Sequence, residues 1–354
     1  MKLNFFDRKS GIISSMKEYG CYVYGAGDYA FSVGVFLKEQ DIRIKAYVVD
    51  DEYYKAGMCF EGTEVMGLSE CLCNMRVNTG SFIVWAIARP SKLRAEITDT
   101  KIPEAWITYD ACHMWQDNEF AHKHKAEFEA TKLLLADELS RKTLEAYLDI
   151  FDGKPEKDIE CIVDGTYFNA LTENVKDGCF VDCGAYTGDT AVQFASVYGK
   201  ERKIYCFEPD GRNYKKLTEN VEDLNAVVIN AGCWSEETTL WFGGKGNASS
   251  RIEDEGDTEV NVVAVDDVVK DDKVAFVKLD VEGSELQALK GMQKIIKRDM
   301  PILAISAYHR QEDLITLPQF VSKSETEHER YQLFLRHHGC TTPELVLYAI
   351  PTQK

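Results

Sequence analysis

The chain has no Cys-x-x-Cys pair, no apolar run long enough to cross a bilayer, and a deficit of basic residues. Its 11 cysteines are an odd number, so at least one cannot pair within the chain. The closest two, Cys71 and Cys73, have a spacing that does not suit zinc. Cys21, Cys179, Cys183 and Cys206 lie inside apolar strand-like runs, which predicts buried free thiols in a reducing compartment. Met1 to Asp7 lacks the apolar core of a signal peptide. The longest clear apolar run, Phe82 to Ala88, falls far short of the roughly 20 residues of a membrane span. A soluble, cytoplasmic protein is expected. Lys+Arg number 41 against 59 for Asp+Glu, a formal net charge of -18. Such a surface repels phosphate backbones and anionic bilayers, so neither nucleic acid nor membrane is an expected partner. What is present is ordinary globular composition, 45% hydrophobic and 28% charged over 354 residues. At roughly 150 residues per domain that length allows two.

Two segments each read as a β-rich run, a glycine turn and a helical stretch. The first is Cys21–Tyr24 with Gly25-Ala26-Gly27-Asp28-Tyr29-Ala30. The second is Cys179–Val181 with Asp182-Cys183-Gly184-Ala185-Tyr186-Thr187-Gly188. Two such starts argue for two α/β domains. In the first, Ile44–Val49, Phe82–Ala86 and Ala105–Thr108 read as further strands. Glu119 to Phe151 is rich in Ala, Leu, Glu and Lys and holds no Gly or Pro, which predicts helix. The expected organisation is a domain at 1–118, a helical linker at 119–158 and a second domain at 159–354. In the second domain Lys203–Phe207, Val227–Asn230, Val274–Leu279 and Ile302–Ser306 read as successive strands. Glu259–Val265 reads as an extra one, and Tyr331–Leu335 with Leu345–Ala349 as a closing antiparallel pair.

Asp182-x-Gly184-x-x-x-Gly188 follows a buried strand, where glycines let the backbone approach an adenosyl ligand. A glycine turn after any parallel strand has the same look. Glu208, in Phe207-Glu208-Pro209, ends the next strand and is placed to accept two ribose hydroxyls. Asp280 and Glu282 lie beyond the carboxyl end of Val274–Leu279, where open α/β sheets place their chemistry. Glu285 begins an amphipathic helix and has a purely local reading at its N-terminus.

Asp280-Val281-Glu282-Gly283-Ser284-Glu285, Phe207-Glu208-Pro209 and Asp182-Cys183-Gly184-Ala185 together resemble the FkbM-type S-adenosylmethionine-dependent methyltransferase family. The likeness extends through Val265-Asp266-Asp267, Tyr308-His309-Arg310 and the tail from Leu335-Arg336-His337-His338 to Leu347-Tyr348-Ala349. The resemblance implies a class I methyltransferase sheet with an antiparallel final strand, and O-methyl transfer to a hydroxyl of a small metabolite such as a sugar or nucleotide-sugar. By position, Asp182, Gly184, Ala185 and Gly188 would line the donor, Glu208 its ribose, and Asn230 and Gly232 its adenine. Asp280, Glu282 and His309 would face the transferred methyl. His309 has the unperturbed pKa best suited to a base, and Asp280 is the other choice. Asp280 with Glu282 also offers oxygen ligands of the Mg²⁺ type; a divalent cation is thus a second cofactor to test, with no metal ligand assigned. Asn247-Ala248-Ser249-Ser250-Arg251 is a polar loop that could touch an acceptor.

The first domain carries Gly25-x-Gly27-x-x-Ala30, and Asp50 follows its second strand, as in a dinucleotide fold. The rival role is packing, homodimer formation or acceptor recognition. The whole fold class expected is α/β, with two doubly wound Rossmann-like domains. Two other functions compete with methyl transfer. One is an NAD(P)-dependent oxidoreductase using the first domain, which lacks an assignable catalytic residue. The other is a non-catalytic nucleotide-binding or sensor protein.

Overall fold

The computed structural model describes residues 11–77, 80–86, 104–106, 120–151, 161–162, 166–243, 251–253, 258–324, 329–338 and 344–353. The chain is mixed α/β and divides into two compact units. The first gathers the described residues of Met1–Lys123 and Glu145–Cys161; the second gathers those of His124–Leu144, Ile162–His338 and Glu344–Lys354. Among the described residues no helix is long and apolar enough to cross a membrane. Cys21, Cys59, Cys71, Cys73, Cys179, Cys183, Cys206 and Cys233 are free thiols.

The first unit is built on β1 (Cys21–Tyr24), β2 (Ile44–Val49), β3 (Cys59–Phe60), β4 (Thr63–Gly67), β5 (Phe82–Trp85) and β6 (Glu104–Trp106). They form a sheet of order β3-β4-β2-β1-β5-β6, parallel except where β3 meets β4. Side chains alternate across a strand. Cys21 and Val23 therefore join Ala30, Val33 and Leu37 on one face, while Tyr22 and Tyr24 join Leu68, Cys71 and Met75 on the other. Both faces are covered, as a parallel sheet requires. The helix Asp28–Glu39 lies close on the sheet at Gly34, where a Cβ would stand 2.1 Å from the Tyr47 hydroxyl.

The second unit follows with β7 (Cys161–Ile162), β8 (Cys179–Cys183), β9 (Ile204–Phe207), β10 (Ala226–Ile229), β11 (Gly232–Cys233), β12 (Thr238–Gly243), β13 (Arg251–Glu253), β14 (Thr258–Val263), β15 (Val274–Leu279), β16 (Ile302–Ser306), β17 (Glu329–His338) and β18 (Glu344–Gln353). The main sheet has the order β10-β9-β8-β15-β16-β18-β17-β7, and β11-β14-β12-β13 form a smaller one. β18 runs antiparallel to both β16 and β17. β8, β15 and β16 are buried at every residue. Their core is aromatic: Phe180 stacks on Phe194 at 4.4 Å, and Phe168 meets both edge-on. The order steps outward from β8 through β9 in one direction and from β15 through β16 in the other. Loops leaving β8 and β15 therefore part, and they open a crevice at the carboxyl ends of these two strands.

The helical segment after residue 119 is shared between the units. Lys125–Leu134 and the start of Glu138–Phe151 belong to the second, because Phe128, Leu135 and Leu144 bury their apolar stripe there. Within the second unit a polar clamp ties this segment to β17. Arg336 on β17, itself buried, donates to Ser140 Oγ at 2.8 Å and to both oxygens of Asp137. Ser140 Oγ also accepts the Leu335 amide at 2.9 Å. Burial alone would raise the Asp137 carboxyl, but Arg336 and Ser140 bring it down to about 2. Its stabilising share is thus complete above the ordinary carboxylate range and fades as pH falls through that value. Arg336→Met should cost about 2 kcal/mol at pH 7, a figure reduced for the partial exposure of Asp137. In urea unfolding, the gap to the native protein should narrow from pH 4 downward. An unchanged gap across that range would separate the clamp from the carboxylate.

Candidate active site

Register places the site. Lys278 on β15 stands opposite Asp182 on β8, and Leu279 opposite Cys183. Lys278 lies in an otherwise apolar run, Val-Ala-Phe-Val-Lys-Leu, and Asp182 in Cys-Phe-Val-Asp-Cys. Both are buried, and their charges meet at 3.2 Å. Lys278 Nζ also donates to the Gly184 carbonyl at 2.6 Å and sits 5.6 Å from the Tyr167 ring centroid. Burial works against its charge, but Asp182 and Asp280 outweigh it and hold the ammonium well above the ordinary lysine range.

Beyond this pair the two backbones touch. Gly184 has φ +80°, and a Cβ there would stand 1.9 Å from the Asp280 carbonyl oxygen. The Asp280 amide donates to the Cys183 carbonyl at 3.1 Å. Tyr186 and Glu282, one in each loop, hold positive φ without being glycine, a strained state that clusters at functional sites. Glu208 ends β9 and turns its carboxylate into the glycine loop. Oε2 accepts the Tyr186 amide and Oε1 the Asp210 amide, both at 2.9 Å. Burial lifts this carboxyl to about 7, against the pull of those two amides. Each oxygen keeps a further lone pair for a ligand hydroxyl.

On the β15 side, Asp280 Oδ2 accepts the Tyr167 hydroxyl at 3.0 Å and Oδ1 the Tyr308 hydroxyl at 3.3 Å. His309 follows β16 with its ring buried. Nδ1 lies 2.8 Å from Glu285 Oε1, and Nε2 lies 3.5 Å from Asp280 Oδ1 and 3.6 Å from Glu282 Oε2. Burial would lower the imidazole, but Glu285, Glu282 and Asp280 raise it to about 10. It is an imidazolium at neutral pH, hydrogen-bonded to Glu285 and facing two further carboxylates, and not a free base. Burial would raise Asp280, yet Lys278, His309, Tyr167 and Ser306 hold it below the usual carboxylate range. Glu285 is more than a helix-terminal acid: Oε1 also accepts the Val281 amide at 3.0 Å, which fixes the loop.

Residues 182–340 match a family model described as the methyltransferase FkbM domain. This part of the chain is an FkbM methyltransferase domain. Hexuronic acid methyltransferase AglP of Haloferax volcanii is 27% identical over 135 residues, 36% of this chain. The match spans 55% of that relative's length. The crystal structure of methyltransferase FkbM from Methylobacillus flagellatus KT superposes with a TM-score of 0.67 at 23% identity, covering 96% of this chain and 93% of that one. At that identity the likeness is one of fold.

Within the FkbM domain the fold brings Asp182, Gly184, Glu208, Asp280, Glu282 and His309 to neighbouring strand ends. Ala185 is buried in the core, so it offers the crevice only its backbone. Gly188 caps the helix Asp189–Tyr198 in the left-handed region, packed against Leu217 and Val221. Asn230 gives its side-chain amide to the carbonyls of Glu208 and Pro209, at 2.9 and 3.1 Å, and so braces the ribose-side turn. Gly232 lies in the smaller sheet against Val262 and Pro209. Asp266 caps the helix Gln293–Asp299 through the amides of Lys294 and Ile295. His338 bonds Tyr348 at 2.7 Å, within the β17–β18 pair. Asn247 to Ser250 lie outside the described residues. In the first unit, Asp50 accepts the Tyr24 hydroxyl at 2.6 Å.

Asp280, Glu285 and His309 have ligand atoms within 4.8 Å of one another. They do not suit Mg²⁺. That ion takes oxygen ligands, whereas here the carboxylates already surround a protonated nitrogen and Glu285 is committed to it and to the loop amides. Lys278, Tyr167 and Tyr308 were given no role by sequence reasoning. A lone charge inside a buried apolar strand needs a partner, and that signal was available for Lys278. None existed for Tyr167, which reaches Asp280 from 113 positions away. Gly184→Ala should lose about 3 kcal/mol or more, since a positive φ and a backbone overlap coincide there. Gly211→Ala, whose Cβ meets nothing within 4 Å, should be neutral or slightly stabilising. Urea unfolding of both variants checks the contrast; equal stabilities would remove the close approach of the two loops.

Proposed function

We propose that this chain transfers a methyl group from S-adenosylmethionine to a hydroxyl of a sugar or glycan precursor. The observation that carries the reading is the meeting of the Gly184 turn, the Glu208 carboxylate and the Asp280–His309–Glu282 group at the carboxyl ends of adjacent strands. The donor set suits the cofactor. The buried oxygens of Asp182 make no hydrogen bond of good geometry among the described residues, and Glu208 keeps lone pairs for two hydroxyls. The sugar comes from the name of the archaeal relative, which acts on a hexuronic acid.

When bound, S-adenosylmethionine supplies an electrophilic methyl on a positively charged sulfur. The chain's part is alignment and proton removal. Asp280 accepts the acceptor hydroxyl. Tyr167 and Tyr308 hold its carboxylate in one orientation, and the His309 imidazolium and Lys278 keep it ionised. A carboxylate of low pKa takes little of the proton from a resting alcohol. It takes it readily once the new C–O bond forms and the oxygen turns strongly acidic. His309 therefore acts as the charge that positions Asp280 and Glu282.

Asp280→Asn should lower turnover of methyl-labelled donor on a sugar panel by about 10²–10⁴-fold, with S-adenosylhomocysteine affinity held within about twofold. At saturating donor, the wild-type rate should show no rise centred near the ordinary histidine value of about 6.5; such a rise would return the base role to His309. Glu208 titrates near 7, and its ionised form accepts both ribose hydroxyls. Donor affinity should therefore climb several-fold between pH 6 and pH 8. Glu208→Ala should bind S-adenosylhomocysteine about tenfold or more weakly with a flat pH profile. Calorimetry showing the same affinity and profile as wild type would remove the ribose assignment.

A further inference from the structure

We infer that Arg310 is the residue that selects the acceptor, by pairing with a carboxylate on the sugar that receives the methyl group. The inference rests on the methyl-transfer reading and deepens it. Arg310 comes directly after His309. Its backbone is fixed reciprocally by Asp313: the Arg310 amide donates to Asp313 Oδ2 at 2.9 Å, and the Asp313 amide to the Arg310 carbonyl at 3.1 Å. Its side chain is exposed and lies across Gly283, the residue after Glu282. A Cβ at Gly283 would stand 2.9 Å from Arg310 Nε, so the glycine and the arginine fit one another. The guanidinium makes no ion pair among the described residues. It lies over the residue that follows Glu282, and Arg310 comes one residue after His309, whose ring reaches Asp280.

The charges around it explain why one cation there matters. The partly exposed groups of this mouth are Asp280 and Glu282. Lys278 and His309 are buried and engaged. In the loops 280–285 and 307–312, Arg310 is the one solvent-facing basic residue. Among the described residues of these two loops, Arg310 is the exposed group that attracts an anionic acceptor, while Asp280 and Glu282 repel it. A single planar guanidinium matches a single carboxylate in a two-bond fork. A neutral hexose has nothing to offer it.

The test uses the full chain loaded with S-adenosylhomocysteine and titrated by calorimetry. The probes are glucuronate and galacturonate, each against its neutral hexose, with glucose 1-phosphate as a separate arm. At least one uronate should bind about tenfold or more tightly than its hexose. Arg310→Gln should abolish that preference with S-adenosylhomocysteine affinity unchanged. Arg310→Lys should keep only a fraction of it, because the charge remains and the fork is lost. A preference that survives in Arg310→Gln, binding of neither uronate, or a preference for the phosphate alone would each overturn the inference. Failure of S-adenosylhomocysteine to bind the wild-type protein would overturn the methyl-transfer reading beneath it.

Discussion

A lysine held between two aspartates on one face of two adjacent strands is the interaction on which the second unit's site depends. Lys278 and Asp280 share a face of β15 because they are two residues apart, and Asp182 stands across from Lys278 on β8. Two charges inside a buried parallel sheet, Lys278 and Asp182, are costly to desolvate, and the pairing compensates only when the geometry is fixed. The fixing is visible. Lys278 also holds the Gly184 carbonyl, so the same ammonium ties the glycine turn to the strand that carries Asp280. A slip in register between β8 and β15 would strand a charge in an apolar core, so the pair favours the observed alignment.

From that alignment the crevice follows. Gly184 comes one position after Cys183 and must meet the Asp280 backbone, because Leu279 already faces Cys183. A side chain at 184 would occupy the place of a carbonyl. Glu208 reaches the same loop from β9 through the Tyr186 amide. Three loops are thereby joined by backbone bonds before any ligand enters, which is how a site on loops acquires the rigidity of the sheet beneath it.

Much of this was legible because it is local. The strand segments are short apolar runs ended by glycine, proline or acid, and the glycine turn and Glu208 follow them directly. Asp280, Glu282 and His309 could be named because strand ends can be read and open sheets gather chemistry there. What escaped was side-chain company. His309 draws its charge from three carboxylates, Glu285, Glu282 and Asp280, all of which meet it only after folding brings β15 and β16 side by side. An unperturbed pKa read from residue type misses that reversal. Asn230, which the resemblance sets near the adenine, also braces two backbone carbonyls through its amide, a job no spacing reveals. The helical segment after residue 119 reads as a joint from its composition, rich in Ala, Leu, Glu and Lys without Gly or Pro, and composition does not say which sheet its apolar face meets.

The electrostatic balance of the crevice gives the net charge of -18 a local meaning. Asp182, Asp280, Glu282 and Glu285 are matched by only two buried cations, Lys278 and His309. Burial and Glu285 push the Asp313 carboxyl well up. The group therefore retains an excess of negative charge in a place with little water to screen it. Such a site favours a ligand that arrives with positive charge over the same ligand after that charge is spent. A sulfonium donor is cationic and its thioether product is not, so this imbalance would draw the donor in and loosen the product. The same imbalance penalises an acceptor that is itself an anion, unless a cation is mounted at the rim. The surplus of acid inside and the single arginine outside are then two parts of one arrangement: one selects the donor by charge, the other admits an acceptor that charge alone would turn away.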